Sequence, residues 1–416
     1  MSAIRASSLA LAFGLCGLAV PSWALPWAGP GWPERVRIGE LRLSPADGSA
    51  PLVRMQALTL APSTGGVTRV RARLTLPGLA PLGLEAELAA GMDPRLRGRL
   101  LLPRPDGEVR FTLAGGARGL ALNLEARLRF RPDGLQPGML VPAAAGWVEE
   151  ASGRLAVVAR IERGGRRVEA AELQLWDLTF RVGDLRVEGL EGTVLFDRLW
   201  PPRTLPGQRL RARRVEVGLA AEEVALAFRL DDGPRLQLSR FRASLLGGSA
   251  RLEPADISLR DPQGRWRIAF ADLDLAALLS LIAVPGLEGE GRVEGWMRLV
   301  RQGGALVIED ARLVAARPGV LRYRPDRLPA SPELALLTRA LARFRYRTLE
   351  ARLSGPLLGE MRLSVRLEGA NPDFEGGQPF VLNLAFEGPF GRIIQAGFKG
   401  FEVARQVRRR LEAPAP

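Results

Sequence analysis

The sequence predicts a mainly β protein, an antiparallel sheet with one apolar and one charged face, and three observations carry that reading. First, residues 120–130 (LALNLEARLRF) alternate without error. Leu120, Leu122, Leu124, Ala126, Leu128 and Phe130 share one face of an extended chain, and Ala121, Asn123, Glu125, Arg127 and Arg129 share the other. A helix at 3.6 residues per turn would scatter the same leucines and arginines around its whole circumference. Second, this period of two recurs along most of the 416 residues, punctuated by turn chemistry such as Pro77-Gly78, Asp93-Pro94 and Asp106-Gly107. Short strands joined by short turns predict an antiparallel meander. Third, helical periodicity is confined to three short stretches.

Taken in order, residues 1–24 form a secretory signal or an N-terminal anchor: Arg5 precedes the apolar run 9–20, and small residues stand before a cleavage position at Ala24. That run is shorter than the roughly 20 apolar residues that span a bilayer. A Pro/Trp-rich linker, residues 25–33, leads into an N-terminal β segment that extends to residue 184. Its inward positions include Val36 and Ile38, then Leu74, Leu84, Leu100, the stretch from Leu120 to Phe130, and Val157. A second β segment spans 185–400, broken by the proline-rich residues 200–206, with Val224, Leu226, Phe228, Ile268, Leu363, Val365, Leu382, Leu384 and Phe386 on its apolar face. The doubled Arg213-Arg214 shifts the alternation and marks a candidate bulge. Residues 272–284 and 331–344 read as helices, the latter with Ser331 as N-cap and Pro332 at the first helical position. The tail 401–416 is a basic amphipathic candidate whose Arg405, Arg408, Arg409 and Arg410 are suited to an anionic membrane surface or to solvent.

Composition removes whole classes of chemistry. With no histidine, the chain has no histidine base, no serine-histidine-aspartate triad and no histidine zinc site. Its one cysteine, Cys16, lies inside the leader, which removes thiolate catalysis and cysteine metal ligation from the rest. No phosphate-cradling glycine loop occurs. No cofactor, metal or catalytic residue is expected. The net charge of +14 comes almost wholly from arginine, spread singly over strand faces with few interleaved aromatics, which argues against nucleic acid and for an anionic membrane surface or lipid head group.

A one-sided sheet must hide its apolar face by closing into a barrel, by packing on a second sheet, or by curling into a trough that something apolar fills. A membrane barrel needs aromatic girdles, and only 6% of this chain is aromatic. Sandwich and trough remain equal on periodicity alone.

From about residue 187 to 390 the chain resembles the YdbH branch of the AsmA-like superfamily, also labelled a "dicarboxylate transport" domain. The residues that carry the resemblance run in the family's order: Gly189 to Phe196 (GLEGTVLF), Leu246-Gly247-Gly248, the segment beginning Asp272-Leu273-Asp274-Leu275, Gly291 to Gly295, and Ile308 to Leu313. Pro318 to Tyr323, Phe344-Arg345-Tyr346 and Glu368 to Pro372, leading to Leu382-Asn383-Leu384, complete the set. The N-terminal half resembles the superfamily only in style.

The resemblance implies a long twisted antiparallel sheet curled into an open hydrophobic groove that holds phospholipid acyl chains and passes lipid between inner and outer membranes. The lining would be Leu74, Leu84, Leu100, Leu120, Leu122, Leu124, Leu128, Phe130, Val157, Val224, Leu226, Phe228, Ile268, Leu363, Val365, Leu382, Leu384 and Phe386. It further implies the periplasm of a Gram-negative bacterium, with residues 1–24 cleaved or kept as an inner-membrane anchor, and an outer-membrane lipoprotein or other envelope protein that adds a strand to an open sheet edge. Two other functions stay open. A dicarboxylate-binding accessory protein would need two or more arginines converging on one polar pocket. A structural envelope protein would have a closed, dry core.

Overall fold

Period-two alternation becomes strands, and each strand pairs antiparallel with near neighbours in the chain. The computed structural model describes residues 35–388, apart from residues 44–52, 64–66, 90–92, 117–118, 164–167, 200–201, 218, 232–234, 259–262, 283–284, 303–304, 326–331 and 358. The leader, the linker and the basic tail with Arg405, Arg408, Arg409 and Arg410 lie outside the described residues. Strands account for 74% of the structure, and 24 of them belong to one long antiparallel sheet that does not close. The fold is therefore mainly β, with a few short helices.

Contacts divide the chain into two compact units. Among the described residues, the first holds those up to Gly183 with Gly189–Gln208, and the second holds Asp184–Glu188 and the residues from Arg209. The first is a meander of β1 (Val36–Leu43), β2 (Val53–Pro62), β3 (Val67–Thr75), β4 (Leu82–Ala89), β5 (Arg95–Leu101), β6 (Gly107–Gly116), β7 (Gly119–Phe130), β8 (Glu149–Arg163) and β9 (Val168–Val182). Each pairs with the next. Then come β10 (Leu185–Arg198), β11 (Arg203–Thr204) and β12 (Gln208–Val217), with β10 paired to β9, β11 and β12.

The second unit runs through β13 (Leu219–Asp231), β14 (Arg235–Leu245), β15 (Gly248–Leu252), β16 (Ala255–Ser258), β17 (Gly264–Asp274), β18 (Leu287–Glu290) and β19 (Arg292–Gln302). It continues with β20 (Ala305–Ala315), β21 (Gly319–Tyr323), β22 (Phe344–Pro356), β23 (Met361–Ala370) and β24 (Phe380–Gly388). Its main ladder is β13-β14-β15-β17-β19-β20-β22-β23-β24, with β16 on β14 and with β18 and β21 forming a side ladder on β22.

Bulges interrupt the pairing inside the strands. Ala57, Glu150, Asp177, Glu223 and Asp272 all have positive φ, and each sits at a register shift: in β2, β8, β9, β13 and β17. An extra residue on one strand bends the ribbon and raises its twist, so these five positions help coil the sheet instead of leaving it flat.

Four buried clusters among the described residues anchor the ribbon. In the first unit, Leu58, Leu60, Val70, Leu84, Ala86, Leu88 and Leu96 close β2–β5 over their apolar face. Full burial of such a side chain stabilises by about 1.5–3 kcal/mol. Phe130, Leu135 and Ala151 form a second cluster beneath the excursion between β7 and β8. That excursion is pinned by the Leu135 N–H donating to Asp106 (3.1 Å) and by the Gln136 side chain, which donates to the Ala151 carbonyl (2.9 Å) and accepts from the Ala151 N–H (3.0 Å). In the second unit one core gathers Leu273, Leu275, Val293, Phe344, Tyr346 and Leu367, and another gathers Trp266, Leu299, Ile308, Leu357 and Met361.

Two helices belong to the former core, and both are shorter than expected. The first is Leu275–Ile282. Asp272–Asp274 continue β17, because Leu273 and Asp274 pair with Val293 and Arg292. The Asp274 carboxylate then caps the helix by accepting from the N–H groups of Ala276 and Ala277 at 2.8 and 3.2 Å. The second is Pro332–Leu341, since Phe344 opens β22 and is fully buried. The Asn371 side chain donates to the carbonyls of Arg339 and Ala340, satisfying the helix end.

Candidate functional site

In an antiparallel pair, directly opposed residues share a face, so the register shows how far the apolar surface extends. In the first unit the row Leu84, Leu100, Val109, Ala126, Val157, Leu173 crosses β4 to β9 without a polar member. A neighbouring row runs Leu96, Leu113, Leu122, Ile161. Of the expected lining, Leu74, Leu84, Leu100, Leu122, Leu124, Leu128 and Val157 therefore lie on one face. Leu120, opposite Gly115, and Phe130, opposite Gly153, lie at the two ends of β7 on that face.

Burial along the face is graded. Leu84 is buried in the β2–β5 cluster, and Phe130 packs against Leu135. Between them Phe111, Leu113, Leu120, Leu122, Leu124, Leu128, Leu155, Val157 and Ile161 are half-buried. The face is covered at its margins and partly open across β6–β8.

The second unit repeats the pattern. Leu226 faces Phe241, Phe241 faces Leu252, and Leu252 faces Ile268. Ile268 continues to Met297, Ala311, Leu353, Leu363 and Phe386. The adjacent row ends Ala351, Val365, Leu384. Leu226, Phe228, Leu363 and Leu384 are half-buried, and Phe386 on the last described strand is 43% exposed. Val224 is buried, Ile268 packs on the Trp266 core, and Val365 and Leu382 pack on the Phe344 core.

Several contributors escaped the sequence reading. Strand β6 (Val109, Phe111, Leu113) alternates as cleanly as its neighbours, and that signal was available. Met297 of β19, just past Gly291 to Gly295, joins the apolar row between Ile268 and Ala311.

The opposite face is a ladder of charge. Glu85 accepts from Arg99 at 2.8 Å and lies 3.4 Å from Arg71, while Arg110 pairs with Glu108 and Arg127 with Glu125. The hydrogen bond from Arg99 holds the Glu85 carboxyl below the usual glutamate range, and Arg312 and Arg352 do the same to Glu350. A hollow of about 720 Å³ lies among these side chains, lined by Arg69, Arg71, Glu85, Glu87, Arg97, Arg99, Arg110 and Glu125. Glutamates stand among its arginines across the ladder, Arg69 and Arg97 both opposite Glu87 and Arg71 and Arg99 both opposite Glu85, so the arginines do not converge on an acid-free pocket. Among the described residues no cluster of three metal-ligating side chains occurs.

A long open sheet thus carries hydrocarbon along one face and ion pairs along the other, an arrangement that suits extended apolar molecules. The class it fits is lipid transport. The chain belongs to the YdbH-like family, described as intermembrane phospholipid transport protein YdbH, whose model matches residues 18–412, nearly the whole chain. The match thus reaches the N-terminal half, where the residues showed likeness only in style. No curated protein and no solved structure matches the chain. Lipid transport is the family's general role; it is an envelope family and not a known enzyme class. No helix among the described residues is long and apolar enough to cross a membrane.

Proposed function

We propose that this chain carries phospholipid between the inner and outer membranes, with acyl chains running along the apolar face of the sheet and head groups left in water. The observation that carries this is the unbroken apolar register of β4–β9 combined with its half-open burial across β6–β8. A tail kept from water gains roughly 0.8 kcal/mol per CH₂, so a floor apolar at every strand lets it advance one strand spacing, about 4.8 Å, without crossing a polar step. No catalytic group is required.

The expected lining residues serve as that floor, with the half-buried Leu122, Leu124 and Leu128 nearest the tails. The chain works in the periplasm, with residues 1–24 as signal or inner-membrane anchor. Strands β1 and β24 pair on one side only among the described residues, with β2 and β23. An outer-membrane lipoprotein adding a strand to one of them would extend the path. The dicarboxylate reading draws no support from the charged hollow, whose arginines face glutamates.

Native mass spectrometry of the full chain purified from envelopes tests the proposal. Several co-purifying phospholipids are expected, and a single apo mass would overturn it.

A further inference from the structure

Where two arginines oppose each other across the ladder, a carboxylate commonly stands beside them, and two places among the described residues depart from that habit. Arg42 and Arg54 face each other with Glu40 at 2.7 and 3.4 Å from them. Arg312 and Arg352 face each other and share Glu350 at 3.0 and 2.8 Å. Arg267 and Arg298 are likewise opposed, and each has its own glutamate, Glu253 or Glu309.

Arg129 faces Arg154 across β7 and β8, and Arg242 faces Arg251 across β14 and β15. These four are exposed, and none has an acid partner among the described residues. Like charges directly opposed destabilise a sheet, and nothing among the described residues offsets them.

At both places a tryptophan stands on this wet face. Trp176 is opposite Arg154, 40% exposed, with the guanidinium 5.8 Å from its ring. Trp296 lies two strands beyond Arg251 in the same row, with Ala269 between them, and Arg267 and Arg298 lie 4.8 and 5.4 Å from its ring.

We propose that each of these two arginine–tryptophan patches, one in each unit, is a docking site for an anionic phospholipid surface. Opposed guanidiniums lacking carboxylates find complementary charge in lipid phosphates. An indole is amphipathic and favours the boundary between head groups and hydrocarbon. A soluble polyanion would use the arginines and leave the tryptophans without a role. A sugar would need a bare ring face, whereas both indoles lie against guanidiniums. Docking of either patch places that unit's charged face on the head groups and leaves its apolar face free for tails. The choice of a bilayer as partner rests on the lipid-transport reading; the unpartnered arginines do not.

The test is co-sedimentation of the full chain with phosphatidylcholine vesicles, with and without phosphatidylglycerol. Binding is expected only when the anionic lipid is present. Arg129→Ala/Arg154→Ala and Arg242→Ala/Arg251→Ala each weaken it, by about thirtyfold if each arginine contributes as a surface cation ordinarily does. Trp176→Ala weakens it with no change in net charge. Arg71→Ala/Arg127→Ala removes the same charge from ion-paired positions and serves as the control, expected to change binding less than threefold.

Equal binding to neutral and anionic vesicles would overturn the proposal. So would patch variants that bind like the control, or retention on a polyanionic resin that ignores Trp176→Ala. Co-purifying phospholipid, measured on the same variants, is expected to persist. Its absence from the parent protein would count against the transport reading, while lost docking with lipid retained separates the two.

Discussion

Replacing Leu124 with aspartate puts a carboxylate on the floor of the apolar face without disturbing the ladder. Leu124 is half-buried between Phe111 and Ala159, so the new group keeps contact with water and the fold loses only about 1–2 kcal/mol. Its effect on a passing acyl chain is larger. About four methylenes lie over one strand at a time, and at roughly 0.8 kcal/mol each a polar strand raises the barrier by ~3 kcal/mol. Transfer should then slow on the order of a hundredfold. The assay is movement of a fluorescent phospholipid from donor to acceptor vesicles by the purified full chain. Asn123→Asp adds the same charge one residue away on the opposite face and should leave the rate within a factor of two. Transfer by Leu124→Asp at the parent rate, with its urea midpoint showing a folded protein, would refute the reasoning, because tails would then not depend on an unbroken floor.

Four further outcomes follow from the cores and the ladder. The Tyr346 hydroxyl, buried and donating to the Glu290 carbonyl at 2.9 Å, leaves that carbonyl short of a partner when removed, so Tyr346→Phe should cost about 1–2 kcal/mol by urea unfolding. Gly319→Ala should cost more than Tyr346→Phe in the same titration, because a Cβ there would lie 2.2 Å from both the Glu290 carbonyl and the Tyr346 hydroxyl. Asp274→Ala removes the cap of helix Leu275–Ile282 and should cost about 1 kcal/mol, read by thermal melting. Finally, the depressed Glu85 carboxyl adds stability that is present above its unfolded value, near 4.5, and is lost as pH falls through its lower folded value. Glu85→Gln should therefore flatten the acid limb of stability against pH below about pH 5, and an unchanged slope would remove Arg99 as the cause.

The period of two made the fold legible. Residues 120–130 became β7 with every face assignment kept, and the opposed rows of leucine and valine follow from the same alternation. The bulges did not show, because Ala57, Glu150 and Glu223 are residues that ordinarily avoid positive φ, and only pairing with a partner strand forces them there. Helix ends were misplaced for a related reason. Asp272 and Phe344 look helical in sequence, but the ladder claims Asp272–Asp274 and the core claims Phe344. On the candidate site, Leu124 and Phe130 read alike in the chain. That Phe130 meets Leu135 while Leu124 stays half open depends on the β7–β8 excursion, whose packing no periodicity records. The arginine patches were equally hidden, since Arg129 and Arg127 look the same until register gives one an arginine and the other a glutamate.

If the sheet carries lipid, acyl chains touch one of its faces and not the other. A photo-crosslinking amino acid placed at Leu122, Leu124, Asn123 or Arg127 in turn, illuminated in cells and read by mass spectrometry of the purified chain, measures that contact directly. Phospholipid attached at Leu122 and Leu124 but not at Asn123 or Arg127 is the result expected. Attachment at neither pair, or at both equally, would contradict it.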